Sequence, residues 1–289
     1  MPGGKSLMTG PSKKKSGFRL VVDIGNTHTV IGLFHGAKIQ RNWRLATRKD
    51  TTVDEIAFWL QGLNLVGAHS RAPLQGSALA SVVPTQDNAW LSAMENVFGI
   101  IPRILNYKDC LGLKLDYDIP SQIGADRLAN VLGAEALGIT EGVVIDFGTA
   151  TTFDVFTNHA YCGGVICPGI QTGLRALVQS AAKLAEPELR WPKQAVGRTT
   201  DDALRIGILR GSLGMIESLL KDILAESHFG KFGKRKPAVV ATGGLAVWMR
   251  GRTKAIHRFE PDLTLIGINH LLSGKTSSAS MGSKRRSAL

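Results

Sequence analysis

The sequence predicts an α/β protein made of two similar lobes. Three observations carry that expectation. A strand–Asp-x-Gly–strand unit occurs twice, at Leu20–Phe34 and again at Gly142–Phe156. Around these units, strand-like runs alternate with helical ones, as in mixed sheets with flanking helices. The 289 residues fit one large domain or two of ordinary size, and a 44% hydrophobic fraction is ample for a packed core.

In the first unit, Val21 and Val22 read as a buried strand that ends at Asp23. Gly25-Asn26-Thr27 makes a tight turn, and Thr29 to Phe34 returns as a second β-rich run. Gly25 lets the backbone approach a ligand closely, and the turn's N–H groups can face an anion. Asp23 stands at the strand end, where a carboxylate can hold a metal-bound water beside phosphates. Taken alone, the unit reads equally well as a plain hairpin.

Thr52-Val-Asp-Glu55 is a capping box that opens a helix with an apolar stripe of Ile56, Trp59, Leu60 and Leu63. Leu79–Val83 reads as a short strand stopped by Pro84. A helix over Asp87–Phe98 and a strand over Ile101–Leu105 follow. Residues 106–123, with Tyr107, Tyr117 and Pro120, lack periodicity, and a long irregular segment in a compact domain is often a functional loop. Ile123-Gly-Ala-Asp-Arg-Leu-Ala-Asn130 then opens a helix carrying Leu128, Val131, Leu132 and Leu137. Asp126 falls in its first turn, where the helix dipole favours the ionised carboxylate. It reads either as a helix-start acid with a surface arginine or as a general base beside a substrate-binding guanidinium.

In the second unit, Val144-Ile145 leads to Asp146, and Gly148 follows two residues later. Asp23 aligns with Asp146 and Gly25 with Gly148, so two phosphate-facing turns, one per lobe, would form a nucleotide cleft. This arrangement resembles the acetate-kinase, sugar-kinase, Hsp70 and actin superfamily. The resemblance implies two ribonuclease-H-like (actin-like) lobes, at residues 18–138 and 139–272. Beyond the repeat, Cys162–Gly169 reads as a strand between turns and Thr172 to Leu184 as a helix. Val196–Ala203 enters a long helix that ends near Ser227, with Gly207, Gly211 and Gly214 on one face, where another helix could pack closely. Ala238–Leu245 is a buried strand running into a Gly-Gly turn suited to backbone contact with a nucleotide.

Net charge is +12, which invites a nucleic-acid partner. Residues 1–17 and 273–289 each carry four cations and no acid, which leaves +4 for residues 18–272. Both tails are rich in Gly and Ser without periodicity and read as disordered. The body is only mildly basic, which suits an anionic small substrate and leaves nucleic acid to the tails alone. Gly4-Lys5-Ser6 mimics the end of a P-loop but follows no strand and lacks the earlier glycine. No apolar run approaches the ~20 residues of a membrane span. The basic N-terminus lacks the apolar segment of a signal peptide. Cys110, Cys162 and Cys167 suggest neither a disulfide framework nor a zinc site, but reduced thiols in a cytoplasmic protein.

Read together over residues 18–272, the chain resembles the type III pantothenate kinases. The resemblance rests on Asp23-Ile-Gly-Asn-Thr27, Trp43-Arg-Leu-Ala-Thr47 with Asp54-Glu55, Ser81-Val-Val-Pro84 and Gly124-Ala-Asp-Arg127. It continues through Asp146-Phe-Gly-Thr-Ala-Thr151, Gly163-Gly-Val-Ile-Cys-Pro-Gly169, Thr200-x-x-Ala203 and Thr242-Gly-Gly-Leu-Ala246. Singly these are weak signals, but their joint order is specific. Gly267-Ile268, where the family commonly has Gly-Leu, and the basic tails are the departures.

The resemblance implies ATP-dependent phosphorylation of pantothenate, the first step of coenzyme A synthesis, by a cytoplasmic homodimer. It places ATP on Asp23, Ile24, Gly25, Asn26, Thr27, His28, Thr29 and Val30, with Thr149 a further contact. Asp126 would accept the hydroxyl proton, and Tyr117, Gly124, Ala125, Asp126 and Arg127 would hold pantothenate. Thr200 would touch pantothenate across a dimer interface. Asp146 would bind a monovalent cation, potassium or ammonium, and Mg²⁺ would bridge the phosphates near Asp23. No Walker lysine is present, so backbone amides and cations are expected to stabilise the transferring phosphoryl group. Two other readings share the fold: a non-enzymatic transcriptional accessory factor, and a kinase acting on a sugar or acetate.

Overall fold

The computed structural model describes residues 17–63, 74–226 and 236–273. The expected disordered tails lie outside these residues, apart from Gly17 and Ser273. Strands β1 (Phe18–Ile24), β2 (His28–His35) and β3 (Lys38–Ala46) form an antiparallel meander. β1 also pairs in parallel with β4 (Leu74–Ser81), which pairs with β5 (Arg103–Ile104), giving the order β3-β2-β1-β4-β5. The second sheet repeats this plan. Strands β7 (Glu141–Phe147), β8 (Ala150–Thr157) and β9 (Ala160–Pro168) form the meander. β10 (Ala238–Thr242) and β11 (Arg258–Phe259) continue in parallel from β7, and β6 (Lys114–Leu115) is added beyond β9. The internal repeat inferred from two short turns therefore extends to whole sheets.

Helices and sheets stack in five layers. On the outer face of the first sheet, α1 (Val53–Gly62) and α2 (Pro84–Phe98) bury Ile56, Leu60, Trp90 and Met94 against Leu20, Val22, Ile31 and Leu79. Between the sheets lie α3 (Ala125–Ala136) and α7 (Leu263–Leu271), packed with Val21 and Ala80 of one sheet and Val144, Phe156 and Val240 of the other. These two helices touch through glycine: a Cβ at Gly133 would strike the Leu263 carbonyl, and one at Gly267 the Ala129 carbonyl. On the far side of the second sheet lie α4 (Ile170–Ser180), α5 (Thr200–Arg205) and α6 (Gly211–Ala225), with a π-helical turn at Ile206–Arg210 joining the last two. Two elements cross the division between residues 138 and 139: β6 joins the second sheet, and α7 packs on α3 and β1. No described helix is long and apolar enough to cross a membrane.

The capping box at Thr52–Glu55 is present, with both reciprocal bonds. α2 begins at Pro84 rather than Asp87, because proline suits a first helical turn that needs no N–H there. The strand expected over Ile101–Leu105 shrinks to Arg103–Ile104, after Pro102, which has no N–H to pair. α4 stops at Ser180, short of Leu184, and the chain turns back so that Glu186 meets Gln171 and Arg175 on the same helix. Among the described residues nothing packs on the glycine face of this helical stretch: a Cβ at Gly207, Gly211 or Gly214 would enter open space.

Candidate active site

Each Asp-x-Gly turn closes on its own glycine amide, the first over three residues and the second over two. Gly25 N–H donates to His28 O at 3.1 Å, and Gly148 N–H donates to Ala150 O at 3.0 Å. These two amides are therefore used within their own turns. The turns meet across the lobes, where Thr27 Oγ1 and Thr149 Oγ1 lie 2.7 Å apart. Around that contact lies a cavity of about 240 Å³ whose lining includes Asp23, Val30, Arg44, Asp146 and Gly243. A neighbouring cavity of about 370 Å³ shares Thr27, His28, Arg44, Thr149 and Gly244 with it. Not every residue of the Asp23–Val30 segment turns its side chain to the cleft. Ile24 is fully buried in the core, Thr29 Oγ1 lies 2.9 Å from Thr47 Oγ1, and Asn26 is exposed at the turn tip.

Three carboxylates converge here. Asp23 and Asp146 end the first strands of the two meanders, and Asp126 sits in the first turn of α3. Burial raises Asp23 well above the usual carboxylate range, and the charges of Asp126 and Asp146 push it further. Burial likewise lifts Asp146 to about 7, helped by Asp126 and opposed by the Asn130 amide, whose Nδ2 donates to Asp146 Oδ2 at 3.2 Å. Asp126 also rises, chiefly through burial, although its Oδ1 accepts the Arg127 N–H at 2.8 Å. The expectation that the helix dipole would favour its ionised form is thus corrected: loss of water outweighs the dipole and the backbone bond. Among the described residues no three acidic, His or Cys side chains stand close enough to hold one metal ion together, so a cation here would rest on single carboxylates completed by water or ligand oxygens. Thr242, paired in register with Asp146, adds a buried hydroxyl that has no hydrogen-bond partner among the described residues. Gly243 follows with φ +88, and a Cβ there would collide with Asp146 Oδ1.

Arg127 is not a surface arginine; it is 6% exposed. Its Nε donates to Asp154 Oδ1 at 2.6 Å and its Nη2 to Phe153 O at 3.3 Å. The guanidinium lies 5.6 Å from the Tyr161 ring centroid, and Tyr117 packs edge-on to Tyr161 at 5.9 Å. Asp126, Arg127 and Tyr117 thus border one region beside the carboxylates, with Gly124 capping α3 and Ala125 buried at its start. Thr200 lies elsewhere, on an apolar groove of about 440 Å³ with Leu177, Leu204 and Ile208.

Sequence reasoning gave no role to Arg44, Asn130, Asp154, Tyr161 or Thr242. Two of them carried a signal. Asp154 is a lone acid in the apolar run Phe153–Phe156, and Asn130 lies four residues after Asp126, on the same helix face.

A profile of the type III pantothenate kinase family matches residues 19–222. The chain belongs to the type III pantothenate kinase family. A relative named type III pantothenate kinase from Desulfosudis oleivorans is 38% identical over 251 residues, covering 86% of this chain and 96% of its own. One of the same name from Rhizorhabdus wittichii is 39% identical over 253 residues, covering 86% and 95%. Among solved structures, a Campylobacter jejuni protein assigned to the Baf family of transcriptional activators aligns with TM-score 0.56 at 18% identity, over 88% of this chain and 97% of its own. The ROK hexokinase of Thermus thermophilus aligns with TM-score 0.50 at 13% identity, over 88% and 97%. At those identities the two structures speak for the two-lobed fold alone. In this member of the type III pantothenate kinase family, Asp23 and Asp146 line one cavity and the charge of Asp126 bears on both.

Proposed function

We propose that this kinase transfers the γ-phosphoryl group of ATP to the primary hydroxyl of pantothenate, giving 4′-phosphopantothenate. The observation that supports the reading is that the charge of Asp126 bears on Asp23 and Asp146, while its neighbour Arg127 packs with Tyr161, which Tyr117 meets edge-on. ATP lies against the turn at Asp23–Val30 and against Thr149, and pantothenate lies against Tyr117 and Gly124–Arg127. Asp126 accepts the hydroxyl proton as the oxygen attacks in line. Asp23 would hold Mg²⁺ through water, and Asp146, with the Thr242 hydroxyl beside it, would hold potassium or ammonium. When bound, these ions neutralise phosphate charge. A coupled ATPase assay with and without pantothenate tests the reading: turnover should require pantothenate, and sugars or acetate should not replace it. The transcriptional alternative is not favoured, since Asp126, Arg127 and Tyr117 are intact. The protein works in the cytoplasm as a homodimer in which Thr200 reaches the partner's pantothenate, and any nucleic-acid contact is confined to the tails.

The cation assignment has its own test. Activity should depend on potassium or ammonium, and Asp146→Asn should weaken that dependence. Equal rates in sodium-only and potassium buffers, with ammonium removed, would exclude the site.

Asp154 should act on the acceptor side. It receives Arg127 Nε and Tyr161 Oη on one oxygen, and Asn130 and Thr152 on the other, with no exposure to solvent. Asp154→Asn removes the charge that anchors the guanidinium, so the KM for pantothenate should rise by ~10-fold while that for ATP stays near its original value. A shift of both constants together would point to a general loss of structure instead.

A further inference from the structure

A triphosphate brings several negative charges into a cleft that already holds three carboxylates. Positive charge from the protein is therefore needed, yet among the described residues no lysine lines either cavity. Two arginines do. Arg175 of α4 is 3.6 Å from Glu186 and so is already paired. Arg44 has no ion pair or side-chain hydrogen bond among the described residues.

The fold aims Arg44 into the cleft. On β3, Asn42 and Arg44 share one face, two residues apart. Asn42 Nδ2 donates to Asp262 Oδ1 at 2.7 Å, fixing that face toward the second lobe. The Arg44 guanidinium reaches the Gly243–Gly244 turn: a Cβ on Gly244 would stand 3.4 Å from Nη1 and 3.8 Å from Nη2. It thus spans from the first sheet to the second at the waist shared by the two cavities. Its charge is felt by the groups around it, opposing the rise of Asp23 and Asp146 and depressing His28 together with burial.

We propose that Arg44 is a catalytic residue that contacts the polyphosphate of the nucleotide and stabilises the phosphoryl group in transfer. The inference rests on the reading of this cleft as the ATP site. Arg44 acts by charge-assisted hydrogen bonds to phosphate oxygens. It supplies from the protein what was expected of backbone amides and bound ions alone.

The test compares Arg44→Ala and Arg44→Lys with the original protein, both in turnover and in binding of a non-hydrolysable ATP analogue and of AMP. Arg44 is exposed and has no ion pair or side-chain hydrogen bond among the described residues, so both variants should fold, which a thermal melt checks. For Arg44→Ala, kcat/KM should fall by ~10²-fold, with Arg44→Lys between the two. Binding of the analogue should weaken by about 10-fold and lose part of its salt dependence, while AMP binding changes by less than about 3-fold. Equal weakening of the analogue and AMP would place Arg44 on the base or ribose and overturn the proposal, as would unchanged analogue binding. If AMP binds too weakly to measure, the salt dependence decides, and an unchanged slope overturns the proposal. Should the original protein fail to phosphorylate pantothenate, the proposed function falls, while analogue binding still judges Arg44.

Discussion

Asp126→Asn is expected to lower turnover by ~10²-fold or more, with pantothenate and ATP binding far less affected. The amide matches the carboxylate in size, and its oxygen can still accept the Arg127 N–H that holds Asp126 Oδ1 at 2.8 Å. What it cannot do is take the proton from the attacking hydroxyl. ATP binding should not suffer, because the substitution removes a negative charge that now bears on Asp23 and Asp146. The pH dependence has a definite sign. A base must be ionised to act, and burial raises the Asp126 pKa. The rate should therefore fall on acidification from a pH above the usual carboxylate range. In Asp126→Asn the residual rate should lose the part of that acid limb that comes from Asp126, and keep any part set by Asp23 and Asp146, whose carboxylates are raised as well. Near-normal turnover in a folded variant would remove Asp126 from the base role.

The sequence disclosed those parts of the site that sit in local motifs. Asp23 and Asp146 announce themselves because each ends a strand and precedes a glycine turn, and the motif occurs twice. Asp126 is legible because a helix start fixes its position. Arg44 was hidden, since a strand residue gives no clue to what faces it. Its importance arises only when β3 is brought opposite the Gly243–Gly244 turn, 200 residues away in sequence. The protonation of Asp126 was hidden for a related reason: a helix start is legible locally, whereas the burial that raises this carboxyl depends on the tertiary packing around it. The lobe contact Thr27–Thr149 is likewise tertiary, although each threonine lies in a recognisable turn.

The placing of Thr200 leads to a prediction about assembly. In one chain Thr200 stands at the start of α5, on an apolar groove whose lining does not include the cleft residues. Beside it the Gly207, Gly211 and Gly214 face is open, so a second copy could approach closely. If Thr200 serves the partner's pantothenate while Asp126 serves its own, two inactive variants should complement each other. Take Asp126→Asn and a pocket-blocking Thr200→Arg. Thr200 is exposed, so arginine there should be tolerated by the fold of the single chain. In a mixed dimer, one site inherits both defects. The other combines the native Asp126 of one chain with the native Thr200 of its partner. Co-expression with separate tags and purification of the heterodimer should therefore restore about half of the original activity per dimer, one working site of two. If Thr200 acted within its own subunit, each site would keep one defect and no activity would return. A heterodimer shown to be folded and dimeric, yet inactive, would therefore refute the shared site.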